Sequence, residues 1–543
     1  MSNSPKDNSE TDQPHGSATA VSDVEATDAD DSRGYGPSHV EEERSKQLAE
    51  RSREKPLGKD DVTVVDKPLV KKAVTAASLG NCMEWFDMGV FGFLAAGITE
   101  QVFYGESDWA RVGVFGTLAL GFLVRPFGGI FFGFLGDKIG RQKVLAITML
   151  LMSLGTFLIG CLPSYNSIGI WAAVGLLACR FLQSFSTGGE YAGATTFIAE
   201  YAPDKKRAFL GSWLDFGTYA GFALGSGFVT LLTATLGTEK MVEFGWRIPF
   251  WVALPMGMVG LYIRSKLEDS PAFKEEQEKS EKRQKGNESG SRFKEIFTKH
   301  RRAFLVCLGL VVSFNVLVYV LTSYMPSYFT GVTEFSANRA NMLVLYACVL
   351  IVVCINMFGR LSDRVGRRVL ILSAAVAQLI LAYPVFLLFR MDNLFAQIVG
   401  VTILGVILAC FAAQQAASLP ALFPTNVRFS ALSIAFNIGI CIFCGTIPLI
   451  ADAAFTSLKD KAPDNISMMI PAFMLIGASI LCLICLRFVN ESALQPLEGS
   501  KVQVDDESEI EEILRESREH HTRLSGKKSH RGARFLKPKA KKK

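Results

Sequence analysis

In the stretch GNCMEWFDMGVFGF, Gly80 to Phe93, Glu84 and Asp87 stand three residues apart inside an otherwise apolar run. At that spacing both carboxylates fall on one helical face. Two carboxylates so close in a low dielectric cannot both ionise cheaply, so at least one is suited to take up and return a proton. Four more charges interrupt apolar runs in the first half of the chain: Arg125, Arg180, Glu190 and Asp215. A mid-span charge costs about 2.5–3.5 kcal/mol on insertion scales, which makes each a functional candidate. Asp87 lies nearest the middle of its run. Glu190 sits in STGGEYAG, where glycines let helices approach closely. Asp215 lies about two helical turns inside its run and suits a gate or a helix contact as well as proton transfer. Arg125 precedes Pro126 in LVRPFGG, where a kink can re-aim the guanidinium. Either arginine can neutralise Glu84 or Asp87 as an ion pair, or hold a substrate carboxylate bidentately. The second half has no comparable set; its polar span residues are mostly neutral, among them Asn315, Asn356, Gln414, Gln415 and Asn437. Protons are therefore expected to be handled by the first half, with neutral substrate contacts from the second.

The elements that hold these residues must be membrane helices. Apolar runs of roughly 18 or more residues lie near 74–99, 110–135, 144–162, 169–199, 208–235, 246–264, 303–329, 338–358, 369–389, 395–422, 429–453 and 468–489. Lipid offers the backbone no hydrogen-bond partners, so such runs fold as helices. The expected fold is an all-α membrane protein with twelve spans. Of the 543 residues 49% are hydrophobic, and the mean hydropathy of +0.26 averages these runs with two polar tails. The net charge of +5 is too small to indicate nucleic-acid binding. Nearly all eleven cysteines fall within or at the ends of the runs, as small buried hydrophobes. No His/Cys cluster has metal-ligand spacing, and no ATP-binding signature marks a primary pump. The expectation is a carrier, not an enzyme, with no cofactor and the proton as coupling ion.

Lysines and arginines alternate from loop to loop, which sets orientation. Lys71 and Lys72 precede the first span, Lys138, Arg141 and Lys143 fill the second loop, PDKKR the fourth, and Arg360, Arg364, Arg367 and Arg368 the eighth. The first loop is acidic and the third uncharged. Both termini are thus expected in the cytoplasm of a bacterial cell, with the chain in its inner membrane. The eleventh loop is the weakest point, since Asp460 and Asp464 offset Lys459 and Lys461. Polar residues 266–302 divide the spans into six and six. GDKIGRQK at 136 recurs as SDRVGRR at 362, 226 residues on, and PDKKR at 203 recurs as PTNVR at 424, 221 residues on. Two motifs at matching offsets indicate duplicated halves, and a substrate site between repeated halves is the architecture of alternating-access carriers. The domains read as a disordered tail 1–66 without a cleavable signal, a six-helix bundle 67–265, a central loop 266–302, a second bundle 303–489 and a tail 490–543.

GFLGDKIGRQK and GRLSDRVGRR resemble the paired loop signatures of the major facilitator superfamily, and AEYAPDKKRA resembles the segment after its fourth span. Within it the chain is similar to the metabolite:proton symporters, and among these to the bacterial proline/betaine transporters. GNCMEWFDMGVFGF, GGEYAGA, GSWLDFGTYAGF, GWRIPFWVALPMGMVGLY and YMPSY carry that likeness, over roughly residues 70–490. The resemblance implies proton-coupled, osmotically stimulated uptake of zwitterionic compatible solutes such as proline, glycine betaine and ectoine. Carboxylate symport of citrate, α-ketoglutarate or shikimate is the alternative within the family, and a non-transporting osmosensor the alternative outside it. A zwitterion needs a cation for its carboxylate, for which Arg125 and Arg180 are candidates. A quaternary ammonium needs aromatic faces, for which Trp85, Phe86, Tyr191, Trp213, Tyr219, Tyr319 and Tyr324 are candidates, although aromatics in spans more often simply pack.

In the loop signature Gly136 and Gly140 permit a tight turn. Carried over from the superfamily, Asp137 and Arg141 with Glu200 and Arg207 would form a cytoplasmic latch, and Asp363 and Arg367 match them in the second half, with Arg428 in the counterpart of PDKKR. Ala421 fills the counterpart of Glu200, so the second latch is expected to be weaker, and Ser184 and Ala208 stand where related carriers often have glycine. In the C-terminal tail, DDESEIEEILRESREHHTRL suits an amphipathic helix with Ile510, Ile513 and Leu514 on one side, with too few such positions for a coiled coil. The basic run after it suits either attraction to anionic lipid or a solvated tail.

Overall fold

The structure is a computed structural model that describes residues 37–51, 56–94, 98–105, 110–265, 294–331, 333, 336–444, 446–458 and 463–533. All of these lie in one unit, Tyr35–Lys543. Twelve helical spans follow one another. The first six are α1 (Lys67–Leu94), α2 (Ala110–Ile139), α3 (Arg141–Cys161), α4 (Trp171–Tyr201), α5 (Arg207–Lys240) and α6 (Arg247–Ser265). After the central loop come α7 (Arg301–Gly331), α8 (Ala337–Val365), α9 (Arg367–Phe389), α10 (Leu394–Ser418), α11 (Arg428–Cys444, resumed over Ile447–Leu458) and α12 (Ile470–Leu486). Large apolar side chains such as Phe127, Trp171, Val353 and Phe395 face outward, which lipid accommodates and water would not. Two of the long helices change pitch: α7 is π-helical over Val320–Tyr324 and α11 over Gly439–Cys444. Such turns recur at functional sites.

The first span begins seven residues before the apolar run because Pro68 starts a helix readily, and the amphipathic turn with Lys71 and Lys72 continues it. The two loop signatures share one backbone. Gly140 has φ 106° and ψ 143°, and Gly366 has φ 108° and ψ 145°, a left-handed setting that favours glycine. Gly136 is different: it is helical, and a Cβ there would collide with the Phe429 ring of α11. The turn rests on Gly140 alone, and Gly136 serves the approach of the two halves. Gly217, Gly221 and Gly225 form a stripe on α5 at every fourth residue, where a Cβ would strike the α1 carbonyls of Ser78, Cys82 and Phe86. Small residues at that spacing let helix backbones touch. This contact sets α1 and its acids beside Asp215.

The halves meet along α2 and α11, α4 and α11, α5 and α8, and α5 and α10. Polar contacts across them run from the cavity level, where Asn437 meets Gly188, to the ends that carry the basic loops, where Asp363 meets Ala208 and Arg428 meets Glu200. Beneath this basic end, the tails are more ordered than their polar composition indicates. Residues 37–51 form a helix, and Val62–Val64 (β1) pairs in parallel with Val502–Val504 (β2). The disordered reading of 1–66 fails at 37–51 and 62–64, while 1–36 lie outside the described residues; the two tails supply each other's apolar partners, Leu48, Val62, Val502, Val504, Ile513 and Leu514 packing together with Ile510 beside them. The amphipathic segment is helical over Ser508–Ala533. The side chains of Asp137 and Arg141, most of the central loop, Lys459, Lys461 and the basic side chains at the extreme C-terminus lie outside the described residues.

Candidate functional site

A cavity lies where the two halves face each other. α1 lines it with Glu84 and Trp85, α2 with Arg125, α4 with Thr187 and Tyr191, and α5 with Asp215, Thr218 and Tyr219. From the second half come Asn315 and Val318 of α7, Gln415 of α10, and Phe436, Asn437 and Ile440 of α11. Val318 lies just before one π-helical turn and Ile440 within the other. The Asn81 amide pins α1 to α5 at this level, donating to the Leu214 carbonyl (2.9 Å) and to the Thr218 hydroxyl.

Glu84 and Asp87 leave α1 in the same direction and end in different settings. Arg125 stands 3.4 Å from one oxygen of Glu84, whose second oxygen is buried with no hydrogen-bond partner among the described residues. The Arg125 guanidinium also lies over the Phe122 ring, 4.9 Å from its centre. Asp87 is turned away from the cavity and fully served: Arg180 donates to one oxygen at 2.6 Å and Gln183 to the other at 3.1 Å. Thr156 anchors Gln183 at 2.5 Å, and the Phe91 ring stacks under Arg180 at 3.8 Å. Each acid has its own arginine, and Arg125 is the one that faces the cavity.

Glu190 is buried between α4 and α3, accepting from Thr148 at 2.7 Å, and does not line the cavity. Asp215 does. Tyr191 donates to its carboxylate, 3.1 and 3.3 Å from the two oxygens, and among the described residues no cation lies within ion-pairing distance. The Tyr191 ring crosses to the second half and stacks on Phe436, centroids 4.2 Å apart and 10° from parallel.

Of the aromatic candidates, Trp85, Tyr191 and Tyr219 line the cavity. Trp213 packs against Phe216 and Phe209, Tyr319 sits edge-on to Phe122, and Tyr324 packs near Tyr328. Among the neutral residues of the second half, Asn315, Gln415 and Asn437 reach the cavity, while Asn356 bonds Ser212 (2.9 Å) and Gln414 accepts from Ser362. Phe436 and Thr187 carry no charge or unusual spacing, and nothing in the sequence singles them out.

Below the cavity, Ser433 donates to the Gly129 carbonyl (2.9 Å) and Asn437 to that of Gly188 (2.6 Å), joining α11 to α2 and α4. At the basic end, Glu200 takes Arg428 of the opposite half at 2.7 Å. Arg207 instead binds Asp204 and the carbonyls of Ala199 (3.1 Å) and Gln495 (2.8 Å). Asp363 of α8 accepts the free amides of Ala208 (2.9 Å) and Phe209 (2.8 Å), capping α5 across the interface. Its contact with Arg367 is long, 4.0 Å; Arg367 bonds the Ala417 carbonyl (3.2 Å) and Ser492 (3.0 Å). The segment after α12 runs across this end. Glu498 gives its carbonyl to Arg428 (2.8 Å), and Gln503 bonds Asp204 (3.1 Å) and the Glu200 carbonyl (2.5 Å).

Duplicated six-helix halves, a charged and aromatic cavity at their junction and contacts gathered at one end define a membrane carrier of the major facilitator fold. The structure superposes on the proton:xylose symporter XylE with a TM-score of 0.65, at 16% identity, covering 80% of this chain and 98% of that one. The chain belongs to the Sugar (and other) transporter family, whose model matches residues 72–503. It is 44% identical to the proline/betaine transporter of Salmonella typhimurium over 473 residues, 86% of this chain and 93% of that protein. To the glycine betaine/proline/ectoine/pipecolic acid transporter OusA of Dickeya dadantii it is 43% identical over 482 residues, 88% and 94% of the two chains.

Proposed function

We propose that this chain imports small zwitterionic compatible solutes, proline and glycine betaine among them, together with protons. The relatives' names support the substrate class. The observation that carries the reading is a cavity in which Arg125, the unbonded oxygen of Glu84 and the aromatic wall of Trp85, Tyr191, Tyr219 and Phe436 meet. Arg125 takes the solute carboxylate, and the aromatic faces take its ammonium, which a betaine cannot offer as a hydrogen-bond donor. A tricarboxylate is a poor match, because the cavity lining holds two acids and a single arginine.

Coupling follows from the competition for Arg125. The Glu84 pair is loose at 3.4 Å, against 2.6 Å for Asp87 and Arg180. When the solute carboxylate takes the guanidinium, Glu84 is left as a buried anion without a countercharge, which costs several kcal/mol. It therefore takes up a proton, and by linkage a proton on Glu84 favours the solute equally. A zwitterion plus one proton carries one positive charge inward, worth about 2.3 kcal/mol per 100 mV of membrane potential. In this reading the carrier sits in the bacterial inner membrane, the basic end is cytoplasmic with both termini, and the conformation is closed towards the cytoplasm. Osmotic stimulation belongs to the same proposal.

Uptake of labelled proline, glycine betaine and citrate by transport-deficient cells, at two osmolarities and with a protonophore control, tests it. Accumulation of proline or betaine, raised at the higher osmolarity and abolished by the protonophore, is expected. Accumulation of citrate alone would overturn the substrate class, and protonophore-resistant accumulation would overturn the coupling.

A further inference from the structure

One contact in the cavity performs two tasks at once. Tyr191 belongs to the first half, its hydroxyl serves the Asp215 carboxylate, and its ring lies flat on Phe436 of the second half. The charged and titratable groups around Asp215 are Glu84 of α1, Arg125 of α2, Tyr191 of α4 and Tyr219 of its own helix, with Cys348 of α8 beyond Tyr219. α10 brings Gln415, which is neutral.

We propose that Tyr191 is a positioning residue that makes closure of the basic end depend on the proton at Asp215, so that protons do not cross without solute. The inference rests on proton-coupled transport but not on which solute is carried. An ionised Asp215 has no cation within pairing distance among the described residues, so in this conformation the carboxyl is held as the neutral acid. The neutral acid accepts a plain hydrogen bond from the tyrosine, and the ring rests on Phe436. When the proton leaves to cavity water, the anion demands shorter, charge-assisted bonds. Tyr191 keeps its own proton and is drawn towards the carboxylate, off the stack. A protonated, empty carrier thus stays shut at this end. The solute releases it by another route, because its ammonium competes with Phe436 for the face of the Tyr191 ring.

Two readouts test this in purified carrier reconstituted into vesicles without solute. Fluorophores at the exposed Lys138 and Arg364, one on each half at the basic end, report closure against pH. A trapped pH dye reports proton entry down an imposed gradient. The parent should close at low pH and open as pH rises, with slow proton entry. Tyr191→Phe keeps the ring and should lose the pH response of the distance. Phe436→Leu should admit protons roughly 2–10-fold faster, the population change that follows from losing one aromatic pair. A parent whose distance ignores pH, a parental pH response in Tyr191→Phe, or a Phe436→Leu carrier as proton-tight as the parent would each overturn the proposal. Solute uptake by the parent is scored separately, so a wrong substrate class is distinguishable from a wrong gate.

Discussion

Glu200 of the first half and Arg428 of the second form an ion pair at 2.7 Å with both side chains fully withdrawn from solvent. The arginine also donates to three carbonyls, those of Pro420 (3.2 Å), Phe423 (3.0 Å) and Glu498 (2.8 Å). Removing one member of such a pair strands the other, at a cost of about 3–5 kcal/mol. Glu200→Gln is therefore expected to open the basic end, read as a longer Lys138–Arg364 label distance and a lower melting temperature. An unchanged distance would mean that the pair does not hold the halves together.

Asp363 holds the same end more weakly. It caps α5 through the Ala208 and Phe209 amides, and removing a helix cap costs about 0.5–2 kcal/mol. Asp363→Ala should shift the label distance in the same direction as Glu200→Gln but less far. A larger effect than Glu200→Gln would reverse the assigned order.

The glycine stripe on α5 makes a prediction with an internal control. A side chain at Gly221 would run into the Cys82 carbonyl, whereas Gly227 has open space around its Cβ position. Gly221→Val should lose folded yield in detergent, measured by size-exclusion chromatography, and Gly227→Ala should not. Equal yields would argue against close α1–α5 packing.

The segment after α12 is joined to the basic end partly by exposed ion pairs: Lys67–Asp506 (2.6 Å), Lys206–Asp505 (2.7 Å) and the less exposed Lys205–Glu509 (2.7 Å). Exposed pairs contribute about 0–1 kcal/mol each and are screened by salt. Protease protection of residues 500–520 should therefore fall as salt is raised, and fall further in Lys206→Glu. Salt-independent protection would mean that the strand pair and the Leu48–Ile513 packing alone hold the segment.

The span pattern, the duplication and the buried acids were legible because lipid penalises each polar residue separately, so Glu84, Asp87, Arg125, Arg180, Glu190 and Asp215 announce themselves. What they do was less legible. Glu84 and Asp87 share a helical face, yet one meets Arg125 at the cavity and the other Arg180 behind it, a distinction set by α2 and α4 rather than by spacing. Phe436 carries no signal, since its role exists only through the facing Tyr191. Gly136 reads as a turn residue and serves as a contact, because the Phe429 that needs the space lies 293 positions along the chain. Order in the tails was hidden for the same reason: neither β1 nor β2 can be recognised without the other.

The central claim is that solute and Glu84 compete for Arg125. The most direct measurement is the number of protons taken up when glycine betaine binds to the purified carrier, from titration calorimetry in buffers of different ionisation enthalpy. The parent should take up about one proton per solute bound near neutral pH, and Glu84→Gln should take up almost none while still binding. Equal proton uptake by the two, or none by the parent across the pH range of transport, would contradict it.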